Sequence, residues 1–381
     1  DPDDNDDPTD NDDPTPIELD DNPAIGVAKQ LAGVTNNGDG TFDVEIAIRV
    51  ENFGDVVLDN VQVTDDLNAA FGNGNFTVIT GPISGSLPAN LTFNGDTDQN
   101  LLGSNASLAE GASDVIEFTV RVLSAGTYEN IAVATGESPN GEMVQDTSQS
   151  GTDPDPDDND DPTDNDDPTT IDLDDNPALG VAKRVVSIDN NPDGSYTVDF
   201  EITVENFGDV VIENLQVADD LNATFQGCAI DAMSIAVSGN LTENTNYGQA
   251  GDWNLLDGTD ELLVGQTGLI NLSVTVDNCD SLGTYLNIAI ANGNAPSGEM
   301  VQDTSQSGSN PDPDGNGDPT DNNDPTPVDF SDNDICYNFT KYLSDQPINE
   351  GDGCYTLEYT IQIENCGDVP LDSVHIEDEL L

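Results

Sequence analysis

Positive charge is almost missing from this chain. Its 381 residues carry 6 Lys+Arg against 77 Asp+Glu, a formal net charge of −71. Binding to nucleic acid or to anionic membrane surfaces needs clusters of Lys and Arg, so neither partner suits this composition. Aromatic residues make up 5 %, with Trp253 the single tryptophan and His375 the single histidine. No apolar run is long enough to cross a bilayer as a helix. There is no Ser-His-Asp set, no His-Glu-x-x-His, no phosphate-binding glycine loop, and no Cys-x-x-Cys pair among the 5 cysteines. A catalytic site needs a base, nucleophile or metal held in place, which makes an enzyme the weakest functional class and zinc an unsuited metal. The chain opens without Met or a signal peptide and stops inside a module, as expected of a mature or partial piece of a longer protein.

What is abundant is a repeated acidic unit. D-N-D-D-P-T is written twice at 4–15, twice again at 158–169, and in diluted form at 315–326. In the third copy Gly315, Gly317 and Asn323 stand where aspartates stood, while Asp318, Asp321 and Asp324 remain. These segments have almost no side chain to bury, and proline at every sixth residue forbids a helix or a central strand. Dense carboxylates repel unless something neutralises them. Calcium suits that chemistry, since it takes about six to eight oxygens from Asp, Asn, carbonyls and water. Expected Ca²⁺ ligands are Asp4, Asp6, Asp10 and Asp12 in the first joint, Asp158, Asp160, Asp164 and Asp166 in the second, and Asp318, Asp321 and Asp324 in the third. The depleted third joint is expected to bind more weakly. Two plainer readings stand beside this one: a solvated flexible spacer, and the acidic surface of a halophile.

Between the joints lie long stretches of alternating apolar and polar residues bounded by Gly, Asn and Pro turns, with no helical period. Phe42, Val44, Ile46, Ile48 and Val50 form one series, and Tyr196 to Val204 repeats it 154 residues on. The predicted fold is all-β: tandem immunoglobulin-like β-sandwich modules joined by acidic Asp/Asn/Pro linkers. The expected boundaries are an acidic linker at 1–22, module 1 at 23–150, a linker at 151–176, module 2 at 177–308, a linker at 309–333, and the first strands of module 3 at 334–381. Both complete modules end in G-E-M-V-Q-D-T-S-Q-S-G, at 141–151 and 298–308, a run expected to pack against the joint or against a neighbouring chain. A long polar insertion at 242–260 holds Trp253 near Tyr247 and is a candidate rim for a glycan or protein ligand.

Three of the few basic residues, Lys29, Lys183 and Lys341, fall on the inward face of each module's first strand. A buried ammonium needs a partner, and Asp65, Asp219 and Asp378 also point inward by alternation. Two readings are open. One is a buried Lys–Asp pair; the other is an isopeptide crosslink of Lys29 to Asn130 and Lys183 to Asn287, with the aspartate holding the shared proton. Among the cysteines, Cys228–Cys279 is expected as a disulfide within module 2 and Cys336–Cys354 as a staple in module 3, leaving Cys366 to a partner further along the chain. Such pairs fit an oxidising, extracellular setting.

The first-strand lysine, an alternating strand ending in E-N-x-G-D, a V-x-V-x-D strand and a final G-T-Y-x-N-x-A strand resemble the DUF11 repeat of prokaryotic surface proteins. Lys29, 51–55, 61–65 and 126–132 carry the likeness in module 1, with Lys183, 205–209, 215–219 and 283–289 in module 2. Lys341, 364–368 and 374–378 carry it in module 3. The resemblance implies an immunoglobulin-like sandwich in long extracellular proteins, with no enzymatic activity. The resulting expectation is a cell-surface or extracellular structural filament, fibre or stalk with calcium-stiffened joints, self-associating or continuing as a longer tandem array. The alternative is an adhesin stalk presenting a glycan- or protein-binding tip.

Overall fold

The computed structural model describes residues 17, 21–277, 279, 283–330, 336–367 and 371–379. The chain divides into two compact units, 1–174 and 175–381. The first joint's expected ligands Asp4, Asp6, Asp10 and Asp12 lie outside the described residues.

In the first unit the strands are β1 (Ile25–Asn36), β2 (Phe42–Asn52), β3 (Asp59–Asp65), β4 (Phe76–Ser84), β5 (Ser113–Val122), β6 (Gly126–Asn130), β7 (Ala132–Glu137), β8 (Met143–Thr147), β9 (Gln149–Ser150) and β10 (Thr169–Leu173). They make a five-stranded sheet in the order β4-β5-β2-β1-β9, a three-stranded sheet β3-β7-β8 and a pair β10-β6. The alternation seen in the sequence sets which face is buried: Val44, Ile46, Ile48 and Val50 of β2 meet Val61 and Val63 of β3, Ile116, Phe118 and Val120 of β5 and Ala132 and Ala134 of β7 in one core. This is a sandwich-like packing of two sheets, antiparallel except where β9 joins β1 in parallel. One turn of helix, α1 (Leu67–Phe71), interrupts the strands; Asp66 caps it by accepting the Ala69 N–H at 3.1 Å. A single turn is too short to give the sequence a helical period, so the apolar pattern alone does not announce it. The alternation of Leu91 and Phe93 suggests a short strand, but Leu91 is exposed in a turn-rich segment.

The second unit repeats the plan with β11 (Leu179–Asn190), β12 (Tyr196–Asn206), β13 (Ile212–Ala218), α2 (Leu221–Thr224), β14 (Ala229–Ser238), β15 (Asp260–Leu262), β16 (Thr267–Asp277), β17 (Gly283–Asn287), β18 (Ile290–Asn294), β19 (Met300–Thr304), β20 (Gln306–Ser307) and β21 (Thr326–Phe330). Its sheets run β14-β16-β12-β11-β20, β15-β13-β18-β19 and β17-β21. The same unit also contains β22 (Tyr337–Leu343), β23 (Ile348–Asn349), β24 (Tyr355–Thr356) and β25 (Tyr359–Asn365), two antiparallel pairs. Over these pairs no second sheet is described, and Phe339, Ile361 and Ile363 stay exposed.

The joints are where the structure departs furthest from a linker. Thr169–Leu173, placed by the sequence reading inside the linker 151–176, pairs antiparallel with β6, from Thr169 opposite Asn130 to Leu173 opposite Gly126. Ile171 and Leu173 are fully buried in the first core. Thr326–Phe330 does the same on β17, burying Val328 and Phe330 in the second core. The I-D-L and V-D-F runs have the period of a strand, and two apolar residues on one face are enough for an edge. Only residues 174–178 lie between β10 and β11.

The proline-rich part also folds back. A Cβ on Gly26 would stand 2.6 Å from the Phe53 ring and 2.9 Å from Pro154 and from Pro162. Gly180 meets Phe207, Pro311 and Pro319 at the same distances to within 0.1 Å. Glycine is the residue that lets the joint's prolines lie on the sheet here. The repeated 141–151 run holds the other side: Ser148 Oγ accepts the Ala132 N–H at 2.9 Å, Gln149 Oε1 accepts the Asp167 N–H at 3.0 Å, and the Gly151 N–H donates to the Lys29 carbonyl at 2.8 Å. Of the two roles expected for this run, packing on the joint is the one the structure displays.

Candidate functional site

Lys29 and Lys183 are both 0 % exposed, an unusual state for an ammonium. The alternation that puts Val27 and Val181 in the core carries each lysine in beside them. Lys29 Nζ meets Asp65 Oδ2 at 2.5 Å, and Lys183 Nζ meets Asp219 Oδ2. Asp65 ends β3 and Asp219 follows β13, so each comes from the opposite face of the sandwich. The third partner is an asparagine at the end of the strand that carries the joint. Asn287 Nδ2 reaches Asp219 Oδ2 at 3.4 Å; Asn130, also buried, bears on the Asp65 carboxylate. Its Nδ2 has no hydrogen-bond partner, and neither does Oδ1 of Asp65 or of Asp219. All six residues singled out in the two modules are thus brought together in two triads.

Burial pushes both lysine amines down from their ordinary range, against the pull of the aspartates. It pushes both aspartates up, against the pull of the lysines. Each pair is therefore nearer to neutral amine and neutral acid than an exposed pair would be.

Several residues that sequence reasoning passed over brace these triads. Thr169 Oγ1 donates to the Lys29 carbonyl at 2.8 Å and sits opposite Asn130 in the ladder; Thr326 Oγ1 donates to the Lys183 carbonyl at 2.7 Å opposite Asn287. The joint's own threonine therefore ties the lysine strand to the asparagine strand. In module 2, Thr224 Oγ1 also donates to Asn287 Oδ1 at 2.9 Å. The equivalent place in module 1, 154 residues earlier, is Ala70. The candidate ligand rim turns out to be part of this bracing. Tyr247 is buried and its Oη donates to the Asp219 carbonyl at 2.9 Å, while the Asp219 N–H donates to the Trp253 carbonyl at 2.9 Å. Nor is this segment an insertion: 88–102 of module 1 makes the same kind of turn, with the Asp65 N–H donating to the Gln99 carbonyl at 3.0 Å. Lys341 pairs with Asp378 at 2.5 Å, but its side chain is 27 % exposed because no described second sheet covers it.

The joints gather a different set of carboxylates from the one expected. Asp155 is buried and accepts the N–H groups of Asn159 at 3.3 Å and Asp160 at 2.9 Å. Asn159 Nδ2 lies between two carboxylates, donating to Asp157 at 3.1 Å and Asp164 at 3.0 Å. Asp157 shares a hydrogen bond with Asp155, which pushes its carboxyl up. The third joint repeats this 157 residues on. Asp312 accepts from Gly315 at 3.0 Å and Gly317 at 2.9 Å, and Asn316 Nδ2 donates to Asp314 at 3.2 Å and Asp321 at 2.9 Å.

Of the expected ligands, Asp164 and Asp321 belong to these clusters. Asp318 caps a 3-10 turn, its carboxylate accepting from Thr320 while its N–H donates to Asn316 Oδ1 at 2.7 Å; the Asp324 N–H donates to Gln306 Oε1 at 2.8 Å. Asp166 bears on the buried Asp146. Asp158 and Asp160 are exposed, with φ of 55° and 63°. That left-handed backbone explains their replacement: Gly315 and Gly317 sit at φ 69° and 86° without a Cβ to strain. The clustered carboxylates 155, 157 and 164 are all retained as 312, 314 and 321. Among the described residues no three Asp, Glu, His or Cys side chains form a group ready to hold a metal ion.

Cys228 and Cys279 are joined as expected, with Cα atoms 3.9 Å apart. The staple Cys336–Cys354 does not form; Cys336 is bonded to Cys366, and Cys354 is free and exposed. Register decides it: Tyr337 pairs with Asn365, so the residues just outside that pair face each other.

No protein-family model and no curated protein matches the chain. Solved structures with some likeness include the C-terminal domain of the Streptococcus pyogenes antigen I/II-family protein AspA, at 9 % identity and TM-score 0.21 over 74 % of this chain and 99 % of that one. The CupB6 tip adhesin from Pseudomonas aeruginosa gives 11 % and 0.29 over 74 % and 99 %. The major pilin SpaD from Corynebacterium diphtheriae gives 13 % and 0.25 over 65 % and 60 %. At these scores the likeness does not extend to activity, and the description of the modules rests on their own strands and cores.

Proposed function

We propose that this chain is a segment of an extracellular stalk or fibre, built from β-sandwich modules of the DUF11 type, with a mechanical rather than an enzymatic role. The observation that supports it is the joint. In both complete modules the acidic segment ends as a strand of the module before it, so the free connection between the modules shrinks to residues 174–178. Repeated units on short tethers suit a chain that keeps its spacing. Disulfides at Cys228–Cys279 and Cys336–Cys366 suit an oxidising exterior.

Calcium is part of this reading. Asp155, Asp157 and Asp164, with the Asn159 carbonyl oxygen, would hold it in the second joint, and Asp312, Asp314, Asp321 and Asn316 in the third. Crowded carboxylates are a place where a divalent cation lowers the free energy. When bound, the ion would supply charge neutralisation and rigidity. An adhesin whose stalk presents a distant tip is the second reading and uses the same modules; the rim around Trp253 serves Asp219, so a ligand-binding tip would lie elsewhere. Electron microscopy of native material with and without a chelator tests the proposal. Straight, evenly spaced rods that loosen on chelation are expected; isolated flexible chains indifferent to calcium would defeat it.

A further inference from the structure

We propose that each complete module is closed by an amide bond between its buried lysine and asparagine, Lys29 to Asn130 and Lys183 to Asn287, with Asp65 and Asp219 carrying the protons. The reasoning starts from what the buried groups lack. In module 2 a lysine nitrogen and an asparagine amide meet on the same oxygen, Asp219 Oδ2. In module 1 Asn130 bears on the Asp65 carboxylate in the same arrangement, its Nδ2 just beyond hydrogen-bond distance. An unpartnered buried amide is costly as a structural element. It is appropriate as a leaving group. The second oxygen of each aspartate is likewise unpartnered, which leaves it free to take a proton. Finding the same three residue types buried together in two modules makes chance packing a poor account.

The atoms balance without an outside reagent. A proton passes from the lysine ammonium to the aspartate, giving a neutral amine and a neutral acid, the direction in which burial already pushes both groups. The Nζ lone pair attacks the asparagine Cγ, and the aspartic acid protonates Oδ1 as the tetrahedral carbon forms. The carboxylate then takes a proton from the new C–N nitrogen and passes it to Nδ2. The Cγ–Nδ2 bond breaks, its electron pair leaves with ammonia, and the fifth proton, the one on Oδ1, returns to the aspartate as the C=O bond re-forms. The product is an uncharged amide beside a neutral acid, which suits a fully buried site better than an ion pair does.

One difference between the modules sharpens this. Thr224 Oγ1 donates to Asn287 Oδ1, the oxygen that gains negative charge as Nζ adds, and module 1 has Ala70 there. Thr224 is therefore a positioning residue that favours the second module's bond.

Intact mass of the denatured full chain is the test. Each bond removes one ammonia, about 17 Da, so the folded protein should weigh about 34 Da less than its sequence once both disulfides are reduced. Proteolysis should yield a branched peptide joining the Lys183 and Asn287 segments. Lys29→Met and Lys183→Met should each restore one loss. A folded chain of unmodified mass overturns the proposal, and so does a loss that survives both lysine variants, since that would be ring closure of asparagine on its own backbone. Because a variant may fold poorly, the branched peptide from the unmutated chain decides independently. In newly synthesised chain, followed by mass as it first folds, the loss in module 2 should precede that in module 1, and Thr224→Ala should slow it about tenfold or more; unchanged kinetics would remove the role given to Thr224.

Discussion

The two complete modules share a plan and many sequence motifs, and the positions at which they differ separate what the plan requires from what it tolerates. Lysine, aspartate and asparagine are retained in the core, as are the joint threonine that braces them and the glycine under the joint's prolines. Ile46 in one is Phe200 in the other, where the aromatic ring lies 4.1 Å beneath Lys183 Nζ. Cys228 and Cys279 have no counterparts in module 1. Volume in the core and covalent staples at the rim are thus adjustable, whereas the buried polar triad and the docking of the joint are not.

Removing one partner of the triad should have the largest effect. Asp219→Leu leaves an ammonium buried without its counter-charge and should cost roughly 3–5 kcal/mol, while Lys183→Met, which removes the charge and keeps the volume, should cost clearly less. Denaturant midpoints measure both, and equal losses would mean that the pair is not what burial makes it. Next comes the seat of the joint. Gly26→Ala or Gly180→Ala drives a methyl into the aromatic ring and two prolines, which should cost about 1–3 kcal/mol and lift the joint from its module, seen as early proteolysis within 151–173. A substitution without effect would show the joint to be loosely held.

A gentler change makes the second joint like the third. Asp158→Gly with Asp160→Gly relieves two left-handed residues and should stabilise the first unit by about 1 kcal/mol per site. Calcium binding measured by titration calorimetry should persist in that variant and fall sharply in Asp155→Ala; the opposite ranking would restore the ligand set expected from the sequence. The finest contrast is in pH. Burial raises Asp146 to about 7 and its counterpart Asp303 to about 6. Their folded values lie above that of an unfolded aspartate, so the folded state holds the extra proton between about pH 4 and each of those values, and stability falls as pH rises through that window. Calcium-free protein should therefore lose stability on going from acid to neutral pH, with the first unit's decline extending higher. Asp146→Asn should flatten it, and thermal melts across that range would reveal a slope of the wrong sign.

Much of this plan was legible in the alternation of apolar residues: the long strands, the inward lysines and the aspartates opposite them all follow from a period of two. The repeat offset exposed the joints as units. What could not be seen was where a joint ends. T-T-I-D-L offers only two apolar residues, too few to announce a strand until β6 is there to receive it. Which carboxylates of a joint meet was hidden for a related reason. Counting aspartates treats every carboxylate alike, whereas the folded joint gathers Asp155, Asp157 and Asp164 around Asn159 and leaves Asp158 and Asp160, at positive φ, outside that group. The pairing of Cys336 needed the register of β22 and β25, which spacing alone does not fix.

A string of such modules is only as strong as its weakest element in series, and the joint strand relocates that element. Tension from a following module reaches the first unit at Leu173, the buried end of β10, before it reaches any sheet of the sandwich. The core's grip on Ile171 and Leu173, and the short ladder to β6, are then the first things to yield. Beyond them stands Thr169, fastened to Lys29. Overstretching would thus peel a tail from its module and lengthen the chain by the residues of one joint while the sandwich stays folded, so the string would absorb a sudden pull in small repeatable steps and recover when released.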